Sequence, residues 1–286
     1  MHLLTIMGIV AVLVFGIALS MQMPLFKSSV TPPNSNSTLV SKPHLSLAFF
    51  LDVSNPYYYN NLKIFKKNLR DGDYLFISGR PSSAVTVLQK TEQSKPLFNS
   101  RIHVDSAIFY DRIDDMVNTV PKLPKGIDFI VYDYEKGTNY SSEFTSNEST
   151  SIGFFDQARN TVIRYDKDSG SNAKLIVTPP YGELLHSGWN WGLAAKHMDV
   201  IDMQVQSLLK NPSLMKSSVS NIVGQIKETS SNTLIFVQLS LIKTRGSVQD
   251  NVLAINLFEN QSINSILIWY GVNQTSDLER FFHFVS

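Results

Sequence analysis

The sequence predicts an α/β protein built as a single (β/α)8 TIM barrel over residues 44–286. Eight short runs, near-continuous in Val, Ile, Leu and Phe, recur along this part of the chain, as strands buried on both faces do. Segments of helical periodicity or turn composition separate them, and the spacing fits eight βα units. An open doubly wound sheet is the structural alternative. It would have fewer strands and a Gly-rich phosphate turn, and the chain carries neither a GxGxxG nor a P-loop motif.

The predicted strands are "LSLAFFLD" (45–52), "YLFISG" (74–79), "SAIFYD" (106–111), "IDFIVYDY" (127–134), "AKLIVTPP" (173–180), "VIDMQVQ" (200–206), "LIFVQLSLI" (234–242) and "SILIWYG" (265–271). After the first comes "NNLKIFKKNL" (60–69), with Leu62, Phe65 and Leu69 on one helical face. "SIGFFDQARNTVIRYDKD" (151–168) spaces Phe154, Phe155, Ala158 and Val162 as a helix does, and residues 213–228, 247–259 and 276–285 behave alike. The least regular unit is the second. Between Gly79 and Ser106 lie two prolines and a poor apolar period.

Ahead of the barrel, residues 3–21, "LLTIMGIVAVLVFGIALSM", carry no charge. At a rise of about 1.5 Å per residue this run nearly spans a bilayer core of about 30 Å. Residues 1–26 therefore read as a transmembrane anchor or a cleaved signal peptide. Residues 27–43, rich in Ser, Thr, Pro and Asn, read as a disordered linker. With sequons at Asn36, Asn139, Asn147, Asn260 and Asn273, these features predict an extracellular or cell-surface domain, anchored by the N-terminal helix or secreted if that segment is cut. A net charge of +1 gives no electrostatic case for nucleic acid. The absence of Cys excludes a thiolate metal site, and the six His lack zinc-ligand spacing, so no metal and no cofactor are expected. No Gly-x-Ser-x-Gly elbow supports a serine hydrolase.

The fourth run, "GIDFIVYDYE" (126–135), ends in two carboxylates one residue apart. Period-two alternation puts Val131, Asp133 and Glu135 on one face, and catalytic groups of such barrels sit where strands end. If that face points inward, Asp133 and Glu135 present two repelling acids to the mouth, where one keeps a proton and the other stays ionised. Glycoside cleavage makes that demand. Tyr132 and Tyr134 alternate outward and are expected to pack under the helices.

This stretch resembles the fourth-strand signature D-G-x-D-x-D-x-E of family-18 glycoside hydrolases, the chitinase family. Asp128, Asp133 and Glu135 fall on its first aspartate, third aspartate and glutamate, while Val131 replaces the middle aspartate, which buffers the charge of its neighbour during proton transfer. "IVTPPYG" (176–182) resembles the family's fifth strand. "DVIDMQVQ" (199–206) resembles the sixth, with Gln204 on its Gln and Gln206 in place of its Tyr. Trp269 stands where the eighth-strand Trp floors the subsite beside the cleaved bond. The resemblance implies Glu135 as general acid/base and Asp133 as the group that orients a substrate 2-acetamido nucleophile. The substrate so implied is a glycan of β-linked N-acetylglucosamine.

Further candidates for sugar contact are Trp189 and Trp191 in "SGWNWGL", and Tyr57 in "NPYYYNN" after the first strand. Asp202, odd in an apolar run, is either an interior partner for Asp133 or Glu135 or the mark of a strand start. Arg80 reads as a charge partner or a solvated loop residue. Three functions remain open: a membrane-tethered glycoside hydrolase, a catalytically inactive glycan-binding barrel, and a structural surface protein.

Overall fold

The structure, a computed structural model, describes residues 45–135, 143–185 and 187–285. The apolar run at 3–21 and the linker at 27–43 lie outside the described residues. Among those described, no helix is long and apolar enough to cross a membrane.

Residues 43–286 form one compact unit, a closed barrel of eight parallel strands in chain order. The chain runs β1 (Leu47–Asp52), α1 (Tyr58–Asn68), β2 (Tyr74–Gly79), α2 (Ala84–Ser94), β3 (His103–Tyr110) and α3 (Ile113–Thr119). It continues through β4 (Phe129–Tyr132), α4 (Glu148–Ser169), β5 (Lys174–Val177), the short α5 (Tyr181–Leu184) and α6 (Trp191–Ala195), and β6 (Val200–Gln204). α7 (Pro212–Thr229), β7 (Leu234–Ser240), α8 (Val248–Phe258), β8 (Ser265–Trp269) and α9 (Thr275–Val285) complete it. Closure comes from β1 against β8, with Leu47 opposite Ile266 and Ala48 opposite Leu267. The poorly periodic second unit holds α2, whose inward face is Ala84, Val87 and Thr91. Predicted strand ends are longer than the ladders. β4 stops at Tyr132 and β6 at Gln204; single bonds from Asp133 N–H to Tyr110 and from Val205 N–H to Gln238 carry on from them before the chain turns into the mouth.

Two apolar compartments hold the fold. Outward-facing strand residues such as Ile108, Tyr132 and Val237 pack against the helices. Inward-facing Phe50, Phe76, Phe129, Val131, Ile176, Val200, Phe236 and Leu267 fill the barrel. Phe76 sits edge-on to Phe129 at 5.0 Å and tilted against Phe50 at 5.0 Å. Large rings close the interior from below, so any site lies above them, at the C-terminal strand ends.

The opposite end is stitched by a repeated device. Asp73, Asp128, Asp199 and Asn264 each precede an even-numbered strand. Each accepts a hydrogen bond from a backbone N–H of the odd strand before it: Leu47, Ser106, Leu175 and Ile235, all at 2.8 Å. Asp199 also pairs with Arg159 on α4. Helix starts are capped by Asn147, Asn211 and a Ser247–Asp250 capping box. Gly170, at φ 68°, ends α4 in the left-handed conformation that only glycine adopts without cost.

Candidate active site

Parity along β4 carries its side chains to the places the sequence predicts. Val131 is inside the barrel, so Asp133 two residues on also faces inward, past the end of the ladder. The backbone there folds into two tight turns, with Tyr134 N–H bonded to the Tyr132 carbonyl and Glu135 N–H to that of Asp133. Tyr132 and Tyr134 point outward and are buried. The Tyr132 hydroxyl donates to Glu143 Oε2 at 2.9 Å, which also accepts from Ile113 N–H at 2.9 Å. The Tyr134 hydroxyl accepts from Thr145 N–H at 2.9 Å and meets Ser151 Oγ at 2.7 Å. These outward tyrosines lock the turn from behind and fix where its acids point.

Asp133 and Glu135 both line a cavity of about 420 Å³ at the C-terminal end of the barrel. Burial, reinforced by the charge of Glu135, pushes the Asp133 carboxyl up to about 7. A Thr178 hydroxyl donating to Asp133 Oδ1 at 2.6 Å and the Arg80 guanidinium pull the other way. Asp133 therefore exchanges its proton near neutral pH, where acid–base chemistry wants it. Arg80, in the loop just past β2, lines the cavity and pairs with Asp111 at 2.6 Å while its side chain stays 49% exposed, so it is both a charge partner and a solvated loop residue.

Gln204, Gln206 and Trp269 line the same cavity. Gln204 donates from Nε2 to the Thr178 carbonyl at 3.2 Å, which fixes its carboxamide against the β5 end. Trp269 is 37% exposed and meets Phe50 edge-on at 6.5 Å, leaving ring surface toward the cavity. An apolar floor beside polar groups is how sugar rings are held.

Three of the predicted contacts lie outside the cavity lining. Trp189 and Trp191 are each 4% exposed and lie outside the cavity lining. Trp189 donates from Nε1 to the Ser146 carbonyl at 2.8 Å and packs edge-on to Phe155 and tilted against Trp191, while Trp191 meets Tyr181 edge-on. They cement the segments after β4 and β5, because a large aromatic next to an apolar helix loses less by burial than by exposure. Tyr57, at the start of α1, is exposed but also outside the lining. Asp128 sits at the far end of the barrel, accepting from Ser106 N–H and Oγ at 2.8 Å each, and has a structural part.

Sequence reasoning missed Thr178, Gln238, Asp52 and Arg245, all in the lining. Gln238 and Thr178 carried a usable signal: each is a polar residue at an inward parity position of an apolar strand. Asp52 carried the same signal, closing β1 at the inward parity of Ala48 and Phe50, whereas Arg245 lies in the loop after β7, where no periodicity singles it out. Among the described residues no cluster of His, Asp and Glu is arranged to hold a metal ion.

No protein-family model matches the sequence, and no curated protein does. Solved structures do match by shape. The catalytic domain of a family GH18 chitinase from the fern Peteris ryukyuensis is 11% identical, with a TM-score of 0.54 over 83% of this chain and 98% of that one. A family 18 N-acetylglucosaminidase from Paenibacillus barengoltzii is 10% identical, with a TM-score of 0.55 over 85% and 100%. Chitinase B from Arthrobacter TAD20 is 9% identical, with a TM-score of 0.54 over 84% and 95%. At these identities the likeness concerns architecture: this chain has the TIM-barrel fold of the family-18 chitinases.

Proposed function

We propose that this protein is a glycoside hydrolase of β-linked N-acetylglucosamine-containing glycans, acting by substrate-assisted retention. The observation that carries this reading is the convergence of Asp133 and Glu135 on one cavity, beside the open ring of Trp269. Glu135 gives its proton to the leaving glycosidic oxygen. The substrate's own acetamido oxygen attacks the anomeric carbon, and Asp133 holds the acetamido N–H so that its oxygen points there. Water then opens the cyclic intermediate as Glu135 takes a proton back, restoring the acid. Gln204 and Gln206 supply hydrogen bonds to sugar hydroxyls, and Trp269 supports the ring at the cleaved bond. The family-18 barrels of like shape support this substrate class.

A catalytically inactive glycan-binding barrel is favoured by one observation: Val131 is packed in the barrel core where the family signature has an acid. The apolar run at 3–21, the polar linker and the sequons support placing the domain outside the cytoplasm, held at the membrane by its N-terminal segment or secreted.

Hydrolysis of a chromogenic N-acetylglucosamine oligomer by the full chain, beside Glu135→Gln, tests the reading. Turnover lost in the variant establishes the glycosidase and its acid together. Oligosaccharide binding without turnover in either protein establishes the inactive barrel instead.

A further inference from the structure

Asp202 stands in the middle of the apolar β6 ladder and is completely buried. It shares parity with Val200, which is in the barrel core, and with Gln204, which lines the cavity. Its side chain therefore lies inside the barrel, one pleat beneath the cavity floor. The strand register also places it. Tyr132, Val177 and Ile201 are partners across β4, β5 and β6, so one residue further Asp133, Thr178 and Asp202 form the next row. Neither carboxyl oxygen of Asp202 has a hydrogen-bond partner among the described residues.

Buried acids are ordinarily satisfied by donors, and leaving one unsatisfied costs several kcal/mol. A carboxylate there would face Asp133 and Glu135 with no counter-ion. Burial first, and then the charges of those two acids, push Asp202 well above the usual carboxylate range. Full burial, with no donor to either oxygen among the described residues, favours the neutral, protonated carboxyl over the carboxylate. The other titratable groups at this end are Asp52, Arg80, Asp111, Arg245 and Tyr270, all in the cavity lining or on its rim.

We propose that Asp202 is a positioning residue that lends its O–H to Asp133, supplying from β6 the inward carboxyl that Val131 does not supply from β4. The proposal rests on the hydrolase reading of the same site. When Glu135 gives up its proton, two carboxylates stand side by side at the end of β4. The Asp202 O–H then turns to Asp133 and stabilises it as an acceptor for the acetamido N–H. The proton remains on the Asp202 side of that hydrogen bond and returns to its resting position when Glu135 is reprotonated.

The test is to titrate Asp133 by carboxyl 13C NMR in the full chain, in wild type, Asp202→Asn and Asp202→Leu, and to record kcat against pH for each. Leu removes the donor, whereas the Asn amide retains one. We expect the Asp133 titration to move upward in the Leu variant and to stay close to wild type in Asn. The kcat of the Leu variant should fall on the order of 10- to 100-fold, the usual scale for partners acting through another residue, with its acid limb moved the same way. Thermal stability of the Leu variant should equal or exceed that of wild type, because an unsatisfied polar group is gone. An Asp133 titration that is unmoved or falls in the Leu variant overturns the proposal. A titration that moves as expected in a protein with no turnover keeps the Asp202–Asp133 link and overturns the hydrolase reading alone.

Discussion

The Thr178 hydroxyl donates to Asp133 Oδ1 at 2.6 Å across the seam between β4 and β5, and it is the strongest influence keeping that acid from rising further. A hydrogen bond to a charged group is worth about 1.5–3 kcal/mol. Replacing Thr178 by Val keeps the shape and removes the donor, so Asp133 is expected to titrate above its wild-type value of about 7. Carboxyl 13C shifts across a pH series read this directly, and turnover at pH 7 should fall with the ionised fraction.

Asp133 also links stability to acidity. Its folded value of about 7 lies above the ordinary 3.8, so the native state holds the proton more tightly than the unfolded chain. Its contribution to stability is fully present below about pH 4 and is lost as pH rises through about 7. In Asp133→Asn that part of the pH dependence disappears, and the variant gains on the order of a few kcal/mol relative to wild type at pH 8. Denaturant midpoints at pH 5 and pH 8 for the two proteins provide the comparison. Equal slopes in both would show that Asp133 does not titrate in this window.

Asp128 belongs to the motif by sequence and to the scaffold by position. Asp128→Ala strips Ser106 of the acceptor for its N–H and hydroxyl, which should cost about 1–3 kcal/mol. The thermal midpoint drops by several degrees while KM and kcat at permissive temperature stay near wild type. A selective loss of kcat in a stably folded variant would place Asp128 in the chemistry.

The tryptophans divide in the same way. Trp269→Ala removes ring surface from the cavity and should raise KM up to about ten-fold, with little change in stability. Trp189→Ala leaves a hole between α4 and the segment after β5, at a cost of about 3–5 kcal/mol. Chemical denaturation and substrate titration of both variants check the pair. Reversed outcomes would restore the second aromatic cluster as a sugar contact.

The eight strands were legible because Val, Ile, Leu and Phe runs buried on both faces leave a signal that tertiary context does not alter. Parity then placed Asp133, Glu135, Val131 and the outward Tyr132 and Tyr134 correctly. Strand ends were less legible, since the bend after Tyr132 is set by hydrogen bonds to Glu143 and Thr145, ten or so residues on. Trp189 and Trp191 misled because an aromatic cluster after a strand fits a sugar platform and a buried wedge equally well. Their burial depends on Phe155 and Tyr181, which sequence distance does not bring together. Gln238 and Thr178 show that a polar residue at an inward position is a better guide to the cavity than aromatic content.

Barrel closure changes how the absence of a motif residue is to be judged. A signature written along one strand describes a point in space, and in a ring of eight strands that point lies within reach of side chains from neighbours far away in the chain. A functional group can migrate from one strand to another with no change in backbone, and a comparison that scores strands one by one registers only the departure. Divergent barrels are better compared by the inventory of side chains in each horizontal tier than by the spelling of any single strand.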